Sequence, residues 1–441
     1  MGHGPFAPPH ICWVRRGRRC FHDRQILPAR FRPLRLVPPN LKCEARHYIL
    51  WRMLRSDWFR VALGMFLVAF GANFFAPMVV VYQLKAGLSF SRSSFLFGVY
   101  ALGLMVALFL GGPLSDSLGR KTIMRPAVAC TLVGSLVLML GNSGSFLVLL
   151  AGRLIIGAAV GLAMSSGAAW LKELSTSAVT GARRSSISLS LGFSLAPGVC
   201  GLLAEFAPAP TLLPFLAPVS LAILIIPLVW TTPADHCPSA QAAATRAAHR
   251  VWVPRSIFNR RFLPVAVYAP WVFGTATTGL VFMPTLLSEH SAHPVLLTGA
   301  IAFLTMGTGV ATQRLGGRFH FTAAHGMFLA AIGMALCLLL ATQRTESWTL
   351  WLLPLIAIVM GSAYGITMLT GLAQTQSLAD PKELGAATGV FYSLTYLGFF
   401  APFILSRLGP AVGYSATFMC GVVIALLTTV WLRELGRGER V

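Results

Sequence analysis

Long apolar runs separated by short polar gaps make up the chain from Trp58 onward. A helix needs about 20 mostly apolar residues to cross the hydrocarbon core of a bilayer, and twelve runs are long enough. The predicted spans are 59–82, 93–112, 122–141, 146–169, 186–206, 212–230, 262–287, 295–313, 321–341, 348–370, 385–406 and 411–432. The pattern therefore predicts an all-α integral membrane protein with twelve transmembrane helices.

The longest polar gap after Trp58 divides these spans into six and six. It predicts an N-terminal six-helix bundle over 58–230, a linker over 231–261, a C-terminal bundle over 262–432 and a tail over 433–441. Residues 1–57 are rich in Arg and Pro and lack the apolar core of a secretory signal, so we expect a disordered extension. Met53 stands just before the first span, which makes it a second candidate for the start of translation.

Charged residues make up only 11% of the chain, against roughly 25% in soluble domains. The formal charge of +22 is concentrated in the N-terminal extension and in alternate loops. The other set of loops holds only Lys85, Arg344 and Arg407, with Arg92 near a helix start. The positive-inside rule then predicts a plasma-membrane protein with both termini and the linker in the cytoplasm. Because membrane topology accounts for the basic residues, we predict that the protein does not bind nucleic acid.

Metal and enzyme chemistry have weak support in the sequence. The eight cysteines form no C-x-x-C pair, so we predict no metal site and no cofactor. His290 and His293 stand beside Glu289 in a predicted loop, but no further catalytic or metal-binding partners accompany them. The chain also has no phosphate-binding G-x-x-x-x-G-K-[ST] loop, which would be needed for ATP-driven transport.

The most distinctive polar stretch is the hairpin Gly112-Pro113-Leu114-Ser115-Asp116-Ser117-Leu118-Gly119-Arg120-Lys121. It is expected to hold the second and third spans close and antiparallel. Its first glycines and the proline predict that the second span stops there. Asp116 can then accept hydrogen bonds from Arg120 or from the N–H groups at the start of a nearby helix.

The two halves resemble each other weakly. Gly192 and Ala196-Pro197 lie in the fifth span, and Gly398 and Ala401-Pro402 lie in the eleventh. Pseudo-symmetric repeats of this kind are typical of secondary transporters. Together with the hairpin, they make the chain from about Met53 onward resemble the major facilitator superfamily.

That resemblance implies a conformational latch. The family's signature loop matches Gly112, Asp116, Gly119, Arg120 and Lys121, and its partner is the start of the eleventh helix, here near Gly385. The latch would join the halves in the outward-facing state and release in the other. A simple tight turn is the alternative. Ser117 and Leu118 depart from the family pattern, which usually has a basic and an aromatic residue there.

Two further motifs carry the resemblance. Arg153 lies in the fourth span, where a charge costs at least about 2.5–3.5 kcal/mol. It matches an arginine that the family links to proton transfer, although an arginine extending to the membrane surface is an equal alternative. Gly192, Pro197 and Gly201 resemble a helix-five motif of exporting antiporters, in which they would form a hinge.

Polar and aromatic residues inside the spans indicate a substrate cavity. The candidates are Asn73, Tyr82, Trp271, Tyr364, Tyr392 and Tyr396. No Asp or Glu is predicted in the middle of a span, which favours a neutral or anionic substrate over a cation.

The preferred prediction is a monomeric secondary transporter that exports a small organic molecule by alternating access, coupled to protons. An importer of a sugar or metabolite on the same fold is one alternative. A membrane sensor or an intramembrane enzyme is an alternative from another class.

Overall fold

The computed structural model describes residues 56–233, 255–316, 318–343, 347–380 and 383–438. Within these residues, twelve helices are long and apolar enough to cross a membrane, as predicted. In chain order they are α1 Asp57–Ala86, α2 Phe90–Leu118, α3 Arg120–Ser143, α4 Phe146–Glu173, α5 Val179–Phe206, α6 Leu213–Thr231, α7 Arg260–Leu286, α8 Pro294–Leu315, α9 Ala323–Thr342, α10 Trp348–Leu378, α11 Leu384–Val412 and α12 Tyr414–Arg437. The predicted N-terminal extension with its alternative start at Met53, and most of the predicted linker, lie outside the described residues.

Helices α1–α6 form an N-terminal half and α7–α12 form a C-terminal half with the same packing pattern. Helix α4 packs on α2 and α3, as α10 packs on α8 and α9. The pairs α1–α5 and α3–α6 of the first half correspond to α7–α11 and α9–α12 of the second. The halves meet chiefly along α5–α8 and α2–α11. The repeat detected in the sequence is therefore a repeat of helix packing.

The second span is longer than predicted. Helix α2 continues through Gly112 and Pro113 and ends at Leu118. The stop is instead Gly119, whose φ of 94° favours glycine over other residues. The prediction that the glycines and the proline end the helix was therefore wrong, because a membrane helix can contain a proline.

Helix α5 contains Pro197 and stays helical through it, and a side chain of α1 compensates for the hydrogen bond that the proline removes. Pro197 has no N–H, so the carbonyl of Phe193, four residues earlier, loses its usual helical donor. Asn73 Nδ2 donates to this Phe193 carbonyl at 2.7 Å. An unsatisfied carbonyl in hydrocarbon costs several kcal/mol, so Asn73 stabilises the proline-containing helix.

The C-terminal half repeats this arrangement with different residues. Pro402 in α11 removes the usual donor from the Gly398 carbonyl, where the helix changes to a 3₁₀ turn over Leu397–Phe400. The Gly398 carbonyl accepts from the Ala401 N–H in this turn, and Thr277 Oγ1 of α7 donates to the same oxygen at 3.1 Å. In each half, a side chain of the first helix thus donates to the carbonyl whose usual donor is lost to proline in the fifth helix.

Glycines bring the backbones of α2 and α4 together. A Cβ atom added at Gly157 would lie 2.0 Å from the carbonyl oxygen of Tyr100, and one added at Gly161 would lie 2.4 Å from that of Leu104. Small residues at such spacing are typical of closely packed membrane helices.

We expect Gly157→Ala to destabilise the protein by about 1–3 kcal/mol, because the added methyl group must displace the α2 backbone. The measurement is the midpoint of thermal unfolding of purified protein in detergent. Gly307→Ala in α8 is the matched control, since no heavy atom lies within 4 Å of its added Cβ. Equal midpoints for the two variants would contradict this account of the α2–α4 contact.

Candidate functional site

A cavity of about 900 Å³ lies between the two halves. Its walls come from α2, α4, α5 and the first residue of α3 on one side and from α7, α8, α10 and α11 on the other. It extends from Asp116, at the end of α2, to Phe273 and Tyr396 in the middle of the spans. We call the side of the bundle that contains Asp116 the hairpin end, and the opposite side the Glu205 end.

Aromatic side chains form the deepest part of the cavity. Three predicted cavity residues, Tyr364, Tyr392 and Tyr396, line it. The Phe273 ring stacks on Tyr396 with centroids 4.9 Å apart, and it lies 5.4 Å from the Tyr364 ring. The Tyr396 hydroxyl donates to Met164 Sδ at 3.2 Å. These rings offer a polarisable, largely apolar surface to a ligand.

The other three predicted cavity residues do not line this cavity. The Asn73 side-chain amide donates its hydrogen bond to the Phe193 carbonyl. Tyr82 is fully buried, with its ring 5.6 Å from that of Phe75. Trp271 is half-buried against the hydrophobic core. Their residue types predicted polar or aromatic groups inside the spans, but not which surface each group faces.

The polar lining consists mainly of hydroxyl and amide groups. The lining includes Ser194, Gln313 and Thr388. Among the described residues, the acids that line the cavity are Asp116 and Glu173, both at the hairpin end. No group of three His, Cys, Asp or Glu suited to a metal ion occurs in the part of the chain that the structure describes.

Sequence reasoning missed several lining residues, notably Phe193, Phe273 and Gln313. Phenylalanine gives no signal in an apolar run, because it suits lipid, core and cavity equally. Gln313 did carry a signal, since it is an amide at the end of the predicted eighth span.

At the mouth of the cavity, Arg120 connects α2, α3 and α4. It forms an ion pair with Asp116, donates from Nη1 to Ser115 Oγ at 3.1 Å, and donates from Nε to Glu173 Oε1 at 3.0 Å. Lys121 donates to the carbonyl of Thr232 after α6. These bonds lie within the N-terminal half and hold its hairpin end together.

The expected latch partners are separated in this conformation. Gly112 and Gly385 line the cavity from α2 and α11 respectively. Among the described residues, Asp116 forms its hydrogen bond with Arg120 and none with α11. The start of α11 is open, because no heavy atom lies within 4 Å of a Cβ added at Gly385.

The opposite end is closed by a carboxylate that the sequence did not identify as a site residue. Glu205, at the end of α5, accepts hydrogen bonds from the N–H groups of Val295 and Leu296 at 2.9 and 3.0 Å. Its other oxygen lies 3.2 Å from His293 Nδ1. Glu205 therefore caps the N-terminus of α8 across the boundary between the halves, where a negative charge is favoured.

The predicted helix-five hinge lies next to this closed end. A Cβ added at Gly201 would lie 2.8 Å from the Cα of Gly299 in α8, and one added at Gly299 would lie 2.6 Å from the Pro197 carbonyl. Gly192 instead approaches α1, with an added Cβ 2.5 Å from Phe66 O. Gly192 thus packs α5 against α1 of its own half, whereas Pro197 and Gly201 pack it against α8 of the other half.

Arg153 is fully buried and binds backbone instead of extending to the membrane surface. Its guanidinium donates to the carbonyls of Leu96, Ala72 and Phe97 at 2.9, 3.0 and 2.9 Å. Helix α1 is interrupted after Asn73, and the Ala76 N–H bonds to Asn73 O instead of Ala72 O. Arg153 therefore replaces the missing donor at this break.

The charge of Arg153 is stabilised by aromatic rings. Its Cζ atom lies 4.5 Å from the ring centroids of both Phe75 and Tyr100. Cation–π contacts of this kind gain strength when water is excluded. This geometry makes Arg153 a clamp between α1, α2 and α4.

We expect Arg153→Lys to destabilise the protein by at least about 1.5–3 kcal/mol, because an ammonium cannot reproduce the planar set of donors. Thermal unfolding in detergent measures this loss. Arg92→Lys, at an exposed arginine near the start of α2, is the matched control. A stable Arg153→Lys protein that had lost only gradient-driven transport would instead support a role in proton coupling.

Comparison with known proteins gives the fold a context. The family model of the Major Facilitator Superfamily matches residues 61–402. The quinolone resistance protein NorA of Staphylococcus aureus is 29% identical over 154 residues, which are 34% of this chain and 39% of NorA. The facilitated trehalose transporter Tret1 of Bombyx mori is 29% identical over 142 residues, which are 32% of this chain and 27% of Tret1. The matches thus span less than two fifths of these relatives.

The crystal structure of a D-xylose-proton symporter superposes with a TM-score of 0.68 at 15% identity. The alignment covers 86% of this chain and 96% of the symporter. At this identity, the similarity shows a shared fold.

Proposed function

Because the chain belongs to the Major Facilitator Superfamily, and is a membrane transporter and not an enzyme, we propose that it exports a small organic molecule by alternating access. The observation that carries this proposal is the cavity between the halves, which is lined from both sides and reaches the hairpin end. Contacts of Glu205 and Gly201 with α8 close the other end. The binding site is complete within one chain, which supports a monomer.

The proposed orientation places the hairpin end in the cytoplasm of a cell with this protein in its plasma membrane. The excess of Lys and Arg in the loops at that end supports it. The structure would then be the inward-open state, with the Asp116 latch released. In the outward-open state, Asp116 would approach the start of α11 near Gly385, and the Glu205 contacts would break.

We propose a neutral or anionic substrate with an aromatic or other apolar surface. The rings of Phe273, Tyr364 and Tyr396 supply the apolar contact, and Gln313 and Thr388 supply hydrogen bonds. Among the described residues, the acids in the lining lie at the mouth, so a cation at the rings would have no carboxylate partner there. The name of NorA, a quinolone resistance protein, supports export of such compounds.

Import of a sugar or other metabolite is the second candidate. The names of Tret1 and of the D-xylose-proton symporter support it, as do the amide and hydroxyl groups in the lining. We propose protons as the coupling ion in either case. The proposed carriers are Asp116, Glu173 and Glu205, which are described carboxylates at the two ends of the spans.

Transport direction can be tested with inside-out membrane vesicles that contain the protein and a panel of neutral, anionic and cationic aromatic compounds and sugars. Export predicts accumulation of a neutral or anionic aromatic compound inside these vesicles. A protonophore should reduce that accumulation at least tenfold. Accumulation that is insensitive to the protonophore would exclude proton coupling, and uptake of sugars only by right-side-out vesicles would favour import.

The two proposed gates should respond to mutation in opposite directions. Glu205→Gln removes a charge worth about 1–2 kcal/mol at the N-terminus of α8, so the outward-open state should gain about 5–30-fold in population. Asp116→Asn should shift the population toward the inward-open state and slow transport. Spin labels at Ala182→Cys and Gln376→Cys, in a background without native cysteines, measure the separation of the halves at the hairpin end.

Asp57→Asn is the control for loss of an acid at the hairpin end, because Asp57 lies outside the cavity and near Arg60 of its own helix. The label separation should decrease in Glu205→Gln and stay unchanged in Asp57→Asn. Identical distance distributions in all variants would refute the two-gate proposal.

A further inference from the structure

A second cavity, of about 1050 Å³, opens at the hairpin end of the C-terminal half. It lies between the start of α7, the start of α9, the end of α10 and the end of α12. Its lining shares no residue with the transport cavity. We call it the arginine pocket, because Arg260, Arg261, Arg433 and Arg437 line it.

The charges of this pocket are poorly compensated within the described chain. Among the four arginines, only Arg437 forms an ion pair there, at 2.7 Å from Glu434. Arg433 lies over the Phe328 ring at 5.8 Å, a contact that leaves its charge uncompensated. The pocket thus presents a net positive charge from several directions.

The pocket is also amphipathic. Leu263, Pro264, Trp431 and Leu435 contribute apolar lining beside the arginines. Leu263 and Leu435 are 56% and 42% exposed, so apolar surface continues out of the pocket. A tryptophan beside arginines at the end of a span is typical of the boundary between hydrocarbon and head groups.

Other segments of the chain are poor electrostatic partners for this pocket. Residues 1–55 are strongly basic, and the segment 234–254 has Arg246 and Arg250 against the single acid Asp235. The last three residues carry one acid and one base. An occupant with complementary charge must therefore come mainly from outside the chain.

We propose that the arginine pocket binds the head group of an anionic phospholipid from the adjacent leaflet. Guanidinium groups bind phosphate oxygens in pairs of hydrogen bonds, and a basic pocket between helix ends is suited to such a head group. The acyl chains would follow the exposed apolar surface at Leu263 and Leu435. This lipid site is independent of the transport cavity and of the direction of transport.

The test uses delipidated, full-length protein in detergent and native mass spectrometry with titrated lipid. The probes are phosphatidylglycerol, phosphatidylcholine with the same acyl chains, and inorganic phosphate. We expect phosphatidylglycerol to bind at least tenfold more tightly than phosphatidylcholine. Arg260→Gln/Arg433→Gln should lose at least tenfold in affinity for phosphatidylglycerol, because each arginine contributes charge-assisted hydrogen bonds.

The matched control is Arg183→Gln/Arg314→Gln, which removes two exposed arginines at the same end but outside the pocket. It should retain the affinity for phosphatidylglycerol, and Arg260→Lys/Arg433→Lys should retain more of it than the glutamine variant. Circular dichroism checks that each variant is folded. Equal loss in the control, equal binding of the two lipids, or full displacement of the lipid by millimolar phosphate would overturn the proposal.

Discussion

Every backbone carbonyl inside the membrane needs a donor, and this constraint explains three polar side chains within the spans, Asn73, Arg153 and Thr277. Pro197 and Pro402 each remove the usual helical donor of a carbonyl, and Asn73 and Thr277 donate to these carbonyls. The break in α1 frees another, which Arg153 satisfies. These donors allow the helices to be kinked or broken without leaving unpaired groups. The irregular helices around the cavity depend on them.

The same constraint explains which parts of the structure the sequence could predict. The number of spans followed from the length of the apolar runs, because a bilayer requires about 20 residues per helix. Three of the six cavity residues predicted from the sequence line the cavity. Tyr364, Tyr392 and Tyr396 line it, whereas Asn73 serves the backbone, because an amide in a span has the same sequence signal in both roles. Glu205 was missed because its partner Val295 lies 90 residues away.

Both ends of the molecule carry a bound carboxylate, but the partners of that carboxylate differ. At the hairpin end, Arg120 gathers Asp116 and Glu173 within one half. At the other end, Glu205 joins the two halves through the backbone of α8. A carboxylate that is bound within its own half leaves the cavity mouth open, and one that is bound across the halves closes it. The pattern of partners thus distinguishes the open end from the closed end.

The carbonyl donors described above act within one half: Asn73 and Phe193 belong to the first, and Thr277 and Gly398 to the second. A rocking motion of rigid halves would preserve both hydrogen bonds. Switching would instead break and remake contacts between the halves, such as those of Glu205 and Gly201 with α8. Reversal from 1:99 to 99:1 requires about 5.5 kcal/mol, which a ligand supplies when it binds one state about 10⁴-fold more tightly than the other.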